Sequence, residues 1–122
     1  MTDARAQLQY RPEAFVRMRL DEAETVAREL LAENQEARRS GLSSTLWDEE
    51  DAEARATLAD VASKRRVLDI IQPDLDKGTQ VFALDRGGFE QWGKSYLIAC
   101  ALASRWADHE DYSHKWERAT CR

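Results

Sequence analysis

The chain has 122 residues, of which 43% are hydrophobic and 34% charged, and its formal net charge is −5. This length supports one hydrophobic core, and the apolar content is too high for a disordered segment. The acidic balance argues against a protein that wraps nucleic acid, because such binding draws its affinity from clustered Lys and Arg.

Two prolines and five glycines leave long stretches unbroken, which favours helices over a many-stranded sheet. Residues 1–11 carry no periodicity and are expected to be a flexible N-terminus; residues 12–122 are expected to form a single all-α domain. Pro12 suits the first position of a helix, where its missing N–H would have no partner anyway. Val16, Leu20, Ala23, Ala27, Leu30 and Leu31 then share one arc at 100° per residue, and the pattern runs to about Arg38. Ser40, Gly41, Ser43 and Ser44 end it.

The stretch from Thr45 to Asp48 offers N-cap residues, and the acids between Asp48 and Glu53 suit the positive first turn of a second helix. Its predicted buried stripe is Ala54, Leu58, Val61, Ala62, Leu68 and Ile71, with Val67 and Ile70 off the stripe. Pro73 is expected to end this helix. Residues 74–88 read as an irregular connector or small local ribbon, with Val81, Phe82 and Leu84 placed over the core. A third helix is predicted over Phe89–Ala107; its centre, YLIACALA, is apolar nearly all round and so is expected to be the most buried element. Asp108–Asp111 interrupts the helical pattern, and a short fourth helix is predicted over Tyr112–Ala119. The fold class is therefore a compact all-α bundle of three main helices and a short C-terminal one.

Cys100 and Cys121 have neither disulfide-framework nor metal-ligand spacing, and read as free thiols in a reducing compartment. No segment has the apolar core of a signal peptide or the length of a membrane span, so a cytoplasmic protein without membrane contact is expected.

The stretches FVRMRLDEAETVA (15–27), DVASKRRVLDI (60–70) and ALASRWADHEDYSHKW (101–116) resemble a family of short actinobacterial and actinophage-encoded proteins, numbered six-two-two-one among domains of unknown function. Its members have a first helix reading roughly F-L-x-A-R-L-D-E-D-E, a second with K-R-R-I-L, and a C-terminal A-x-x-Y-A-D-H-P-D-Y-x-x-x-W. Here Trp106 stands where the family tends to have Tyr, and Glu110 where it tends to have Pro. The resemblance implies a phage or actinobacterial setting and carries no assigned activity.

Arg65 is the most informative residue, because it falls near the middle of the second helix's buried arc. A guanidinium there needs partners. Three readings stay open: an ion pair to Glu22 or Asp108 that pins helix packing, an anion-binding cleft shared with Arg19, or a stem that snorkels past the helix edge. The segment Asp108–His114 holds both histidines among carboxylates, with His109 and Tyr112 as ligand-site candidates. Five residues put His109 and His114 about 140° apart on a helix, so they do not meet one metal, and Asp108 is expected instead to cap the terminal helix. Trp47, Trp106 and Trp116 are the candidate interface anchors.

No catalytic, metal-binding or cofactor-binding constellation stands out. The leading expectation is a non-enzymatic helical interaction module that binds a protein partner or a second copy of itself. The alternative is a small-ligand or nucleotide-binding protein, hydrolytic or not, using an Arg65 cleft. A third reading is nucleic-acid binding through the second helix; Lys64 and Arg66 alone make a poor electrostatic footprint for it.

Overall fold

The structure, a computed structural model, describes residues 11–42, 45–77, 81–82 and 91–117. The chain is all-α, built on α1 (Pro12–Arg39), α2 (Thr45–Asp76) and α3 (Lys94–Ala103). Single turns of 3-10 helix follow at Ser104–Trp106 and His114–Trp116. A two-residue antiparallel ribbon joins β1 (Val81–Phe82) to β2 (Gln91–Trp92), pairing Val81 with Trp92 and Phe82 with Gln91. The expected flexible residues 1–10, the placement of Leu84 and residues 118–122 lie outside the described residues.

α1 starts at Pro12 as its sequence predicts, with the Arg11 carbonyl accepting from the N–H groups of Ala14 and Phe15. At its far end Gly41 takes φ +84°, a left-handed conformation open to glycine at little cost. Gly41 then donates to the Arg38 carbonyl and Leu42 to that of Ala37, the paired bonds of a Schellman cap. Arg38 and Arg39 occupy the last turn, where the helix dipole favours cations.

α2 departs from expectation at its end. It runs through Pro73 to Asp76, although proline there forfeits the bond to the Asp69 carbonyl. Side chains hold the last turn instead. Leu75 is buried, the Gln72 amide donates to Asp76 at 2.9 Å, and the Ser95 hydroxyl donates to Asp74 at 2.9 Å. Along the predicted stripe Ala54, Val61, Leu68 and Ile71 are buried, Leu58 is half-buried, and Ala62 is exposed.

α3 is shorter than predicted, because Gln91 and Trp92 are drawn into the ribbon and Ser104 tightens the chain into a 3-10 turn. Five of its ten residues are buried, a larger share than in α1 or α2, as its apolar sequence predicts, and they lie on one side. Tyr96, Ala99, Cys100 and Ala103 face inward at three- and four-residue spacing, whereas Ile98 and Ala101 face out. The predicted terminal helix contracts to the single turn at His114–Trp116, which follows Ser113 and has no side-chain cap, so Asp108 does not serve as one.

Contacts divide the chain into two compact units. One comprises Met1–Arg17 and Arg66–Arg122, the other Met18–Arg65. In the first, the described core is Phe15, Val16, Leu68, Ile71, Leu75, Tyr96, Ala99, Cys100, Ala103, Tyr112 and Trp116. The second buries Leu20, Ala27, Ala54 and Val61 together with the polar side chains of Arg19, Asn34 and Asp51.

Candidate functional site

In the first unit the C-terminal segment closes around one ring. Phe15 lies with its centroid 6.3 Å from Trp106, 5.7 Å from His109, 6.1 Å from Tyr112 and 5.2 Å from Trp116. Most of these pairs meet edge to face, the arrangement favoured by the ring quadrupole. Tyr112 and Trp116 stack likewise at 5.2 Å and 84°. Trp116 is fully buried, so this interface candidate is a core residue, and Trp106 and Trp47 are only half-buried.

The histidines are used in this packing. The His109 Nδ1 accepts from the Asp111 backbone N–H at 3.0 Å, which places its ring hydrogen on Nε2. His114 points its Nδ1 at Glu117, 3.2 Å away, and packs its ring edge on Tyr112. Among the described residues no group of three or more His, Cys, Asp or Glu side chains is arranged to hold a metal ion.

The same unit buries a Tyr96–Cys100 pair on α3. Burial pushes the Cys100 thiol up to about 12 and raises the Tyr96 phenol well beyond its ordinary value, so neither ionises near neutrality. A nucleophilic thiol needs the opposite shift.

The second unit is held by two polar clamps. In the first, Asn34 donates its amide to Asp51 at 3.0 Å and to Glu50 at 3.3 Å. Arg38 reaches Asp51 at 2.6 Å and Asp48 at 3.1 Å. The Asn34 amide and the Arg38 guanidinium both hold the Asp51 carboxyl below its usual range.

The second clamp contains Arg65. Its guanidinium donates to Asp21 at 2.5 Å and Glu24 at 2.7 Å, bridging α2 to α1 within this unit. The expected partners, Glu22 and Asp108, are not the ones it uses. Glu22 instead pairs with the buried Arg19 one turn earlier on α1, at 3.0 Å, and Asp108 is exposed in a turn. The physical reason is the helix wheel: Asp21 and Glu24 stand three residues apart on one side of α1, flanking the arc that holds Leu20. Arg65 keeps 30% of its side chain exposed, and the hydrogen bond from Arg65 lowers the Glu24 carboxyl's pKa.

The motif residues noted in the sequence therefore meet each other. Phe15 of the first stretch lies against Tyr112 and Trp116 of the third, and Asp21 and Glu24 of the first hold Arg65 of the second. The matching pattern covers residues 12–118. This chain belongs to DUF6221, a family of unknown function. No curated protein and no solved structure matches it. In this chain, Phe15, Asp21, Glu24, Arg65, Tyr112 and Trp116 of these stretches thus serve packing and clamping.

Sequence reasoning missed Phe15 as the ring's centre, and it missed Asn34, Arg38 and Asp51. The signal for the clamp was present. Leu20, Ala27 and Asn34 are spaced by seven, and Asp51 lies three residues before Ala54, so both polar residues extend buried stripes already visible.

Among the described residues no helix is long and apolar enough to cross a membrane.

Proposed function

We propose that this DUF6221 protein is a non-enzymatic interaction module, encoded by an actinobacterium or by its phage and acting in the bacterial cytoplasm by binding another protein or a second copy of itself. The observation that carries this reading is Ile70, a large aliphatic side chain left 77% exposed on the outer side of α2. Val67, one turn earlier, and Pro73, one turn later, are also exposed, so the apolar surface is a strip and not one stray residue. The setting rests on the family resemblance, and the reducing compartment on the buried free Cys100.

The chemistry-bearing residues support the same reading from the other side. The shifts at Glu24, Asp51, Tyr96 and Cys100 all move those groups away from neutrality, whereas a general acid or base works best with a pKa near the operating pH. The ligand reading asks Arg65 to receive an anion, yet two carboxylates already neutralise its charge and would repel a phosphate. The nucleic-acid reading fares no better, since Lys64 is paired with Asp60 at 2.8 Å and Arg66 alone makes no electrostatic footprint.

The test is Ile70→Ser. Tagged wild-type and variant chains are expressed in the cells that encode them, and the complexes each forms are compared by size and composition. The variant is expected to keep its circular dichroism spectrum and lose the complexes the wild type forms. Equal occupancy of complexes in the two chains would overturn the proposal.

A further inference from the structure

The geometry points to a second copy of this chain as the occupant of the α2 strip, packed antiparallel about Ile70; this rests on the interaction reading and names its partner. Arg66, Ile70 and Asp74 follow one another at four-residue spacing and form a single ridge on the helix surface. All three are exposed. Arg66 and Asp74 stand about 6 Å along the axis on either side of Ile70, and Val67 and Pro73 flank the ridge within about 60° of it.

This ridge is complementary to itself in only one sense. Ridges of this kind interdigitate at a crossing near −50°, the commonest packing of two helices. In the antiparallel pairing Ile70 meets Ile70 of the second copy, and Arg66 meets its Asp74 at both ends. The parallel pairing would set Arg66 against Arg66 and Asp74 against Asp74. Opposite charges thus select the direction, and a twofold axis repeats each contact.

Both charges lie at the surface. Arg66 takes part in no ion pair among the described residues. Asp74 accepts from Ser95 through Oδ2 and has Lys77 3.8 Å from Oδ1, and its side chain keeps 66% exposure. One ridge covers well under the roughly 800 Å² per partner of a stable dimer, so the pairing is reversible and concentration-dependent.

Sedimentation equilibrium of the full chain from ~10 µM to ~1 mM tests it by mass action. The expected average mass rises from 14.0 kDa toward twice that value, and less steeply at high salt. Arg66→Asp or Asp74→Arg alone sets like charges opposite each other and is expected to weaken association at least tenfold, while the double exchange regains it. Asp74→Arg also removes the acceptor of the Ser95 hydroxyl, so circular dichroism and urea unfolding check that each variant keeps its helices and its fold under the conditions of sedimentation. A wild-type chain that stays monomeric, or a double exchange that regains nothing, overturns the pairing. If the chain is monomeric yet Ile70→Ser loses another protein that the wild type holds, self-pairing fails and the interaction reading stands; if Ile70→Ser changes no complex, both fail.

Discussion

The two units of this chain solve the same problem with opposite chemistry. The unit containing Phe15 and the C-terminal segment buries rings against rings, and that containing Arg38 and Arg65 buries small aliphatic residues and ties its margins with charged clamps. Rings gain from area removed from water, with little demand on direction; clamps gain little net energy but enforce one geometry. The first unit should therefore carry more of the stability per residue, and the second more of the dependence on pH and salt.

The largest effect is expected from the ring cluster. Trp116→Ala should cost about 3–5 kcal/mol in urea unfolding, as should Phe15→Ala, because each removes a fully buried aromatic from a packed core. In a double-mutant cycle the two should couple by about 0.5–1.5 kcal/mol, the range for aromatic pairs in contact. Cys100 gives an independent reading. In a Cys121→Ser background its thiol, buried and pushed up to about 12, should resist thiol reagents at pH 8 in the wild type and react readily in Trp116→Ala. Additive losses with Cys100 still protected would mean that the rings do not form one core.

How much of this was legible follows from the same contrast. The helices of the first two-thirds follow from periodicity, Pro12 and Gly41, since burial of a stripe and a left-handed glycine are local, sequence-encoded demands. Pro73 misled because its cost is local too, while the contacts that outweigh it, Leu75 in the core and Ser95 on Asp74, come from distant parts of the chain. Periodicity singles out Arg65 as a guanidinium in need of partners, but several acids of α1 lie within reach by sequence, and only the backbone selects Asp21 and Glu24 over Glu22. The aromatic surplus of the last third was legible as payload; that Trp116 turns inward to Phe15, a hundred residues away, was not.

Next in size is the Asn34–Asp51–Arg38 clamp. Asp51→Ala leaves the buried Asn34 amide without its 3.0 Å acceptor, although Glu50 at 3.3 Å still receives one hydrogen bond and the partly exposed Arg38 keeps Asp48. The urea midpoint should fall, by less than in Trp116→Ala. The pH profile should show the clamp as well. The native pKa values of Asp51 and Glu24 lie below the ordinary values of 3.8 and 4.5, so their contribution is full above those values and is lost as pH falls below them. Acid below about pH 4 should therefore destabilise the wild type more than an Asp51→Ala chain, and equal acid sensitivity would mean the carboxylate is not clamped.

The smallest effect is expected at Arg65, where exposure and salt screening limit what an ion pair contributes. Arg65→Lys replaces a planar fork holding two carboxylates with a point charge that can favour one, and should cost about 1 kcal/mol or less at low salt and still less at high salt. The value of this variant lies in what it separates. A ligand bound by the folded chain raises its melting temperature through mass action, so a wild-type chain stabilised by nucleotides, with the gain lost in Arg65→Lys, would make Arg65 a binding residue. An Arg65 that only spans Asp21 and Glu24 predicts the reverse: melting temperatures indifferent to nucleotide in both chains, and a difference between them that shrinks with added salt.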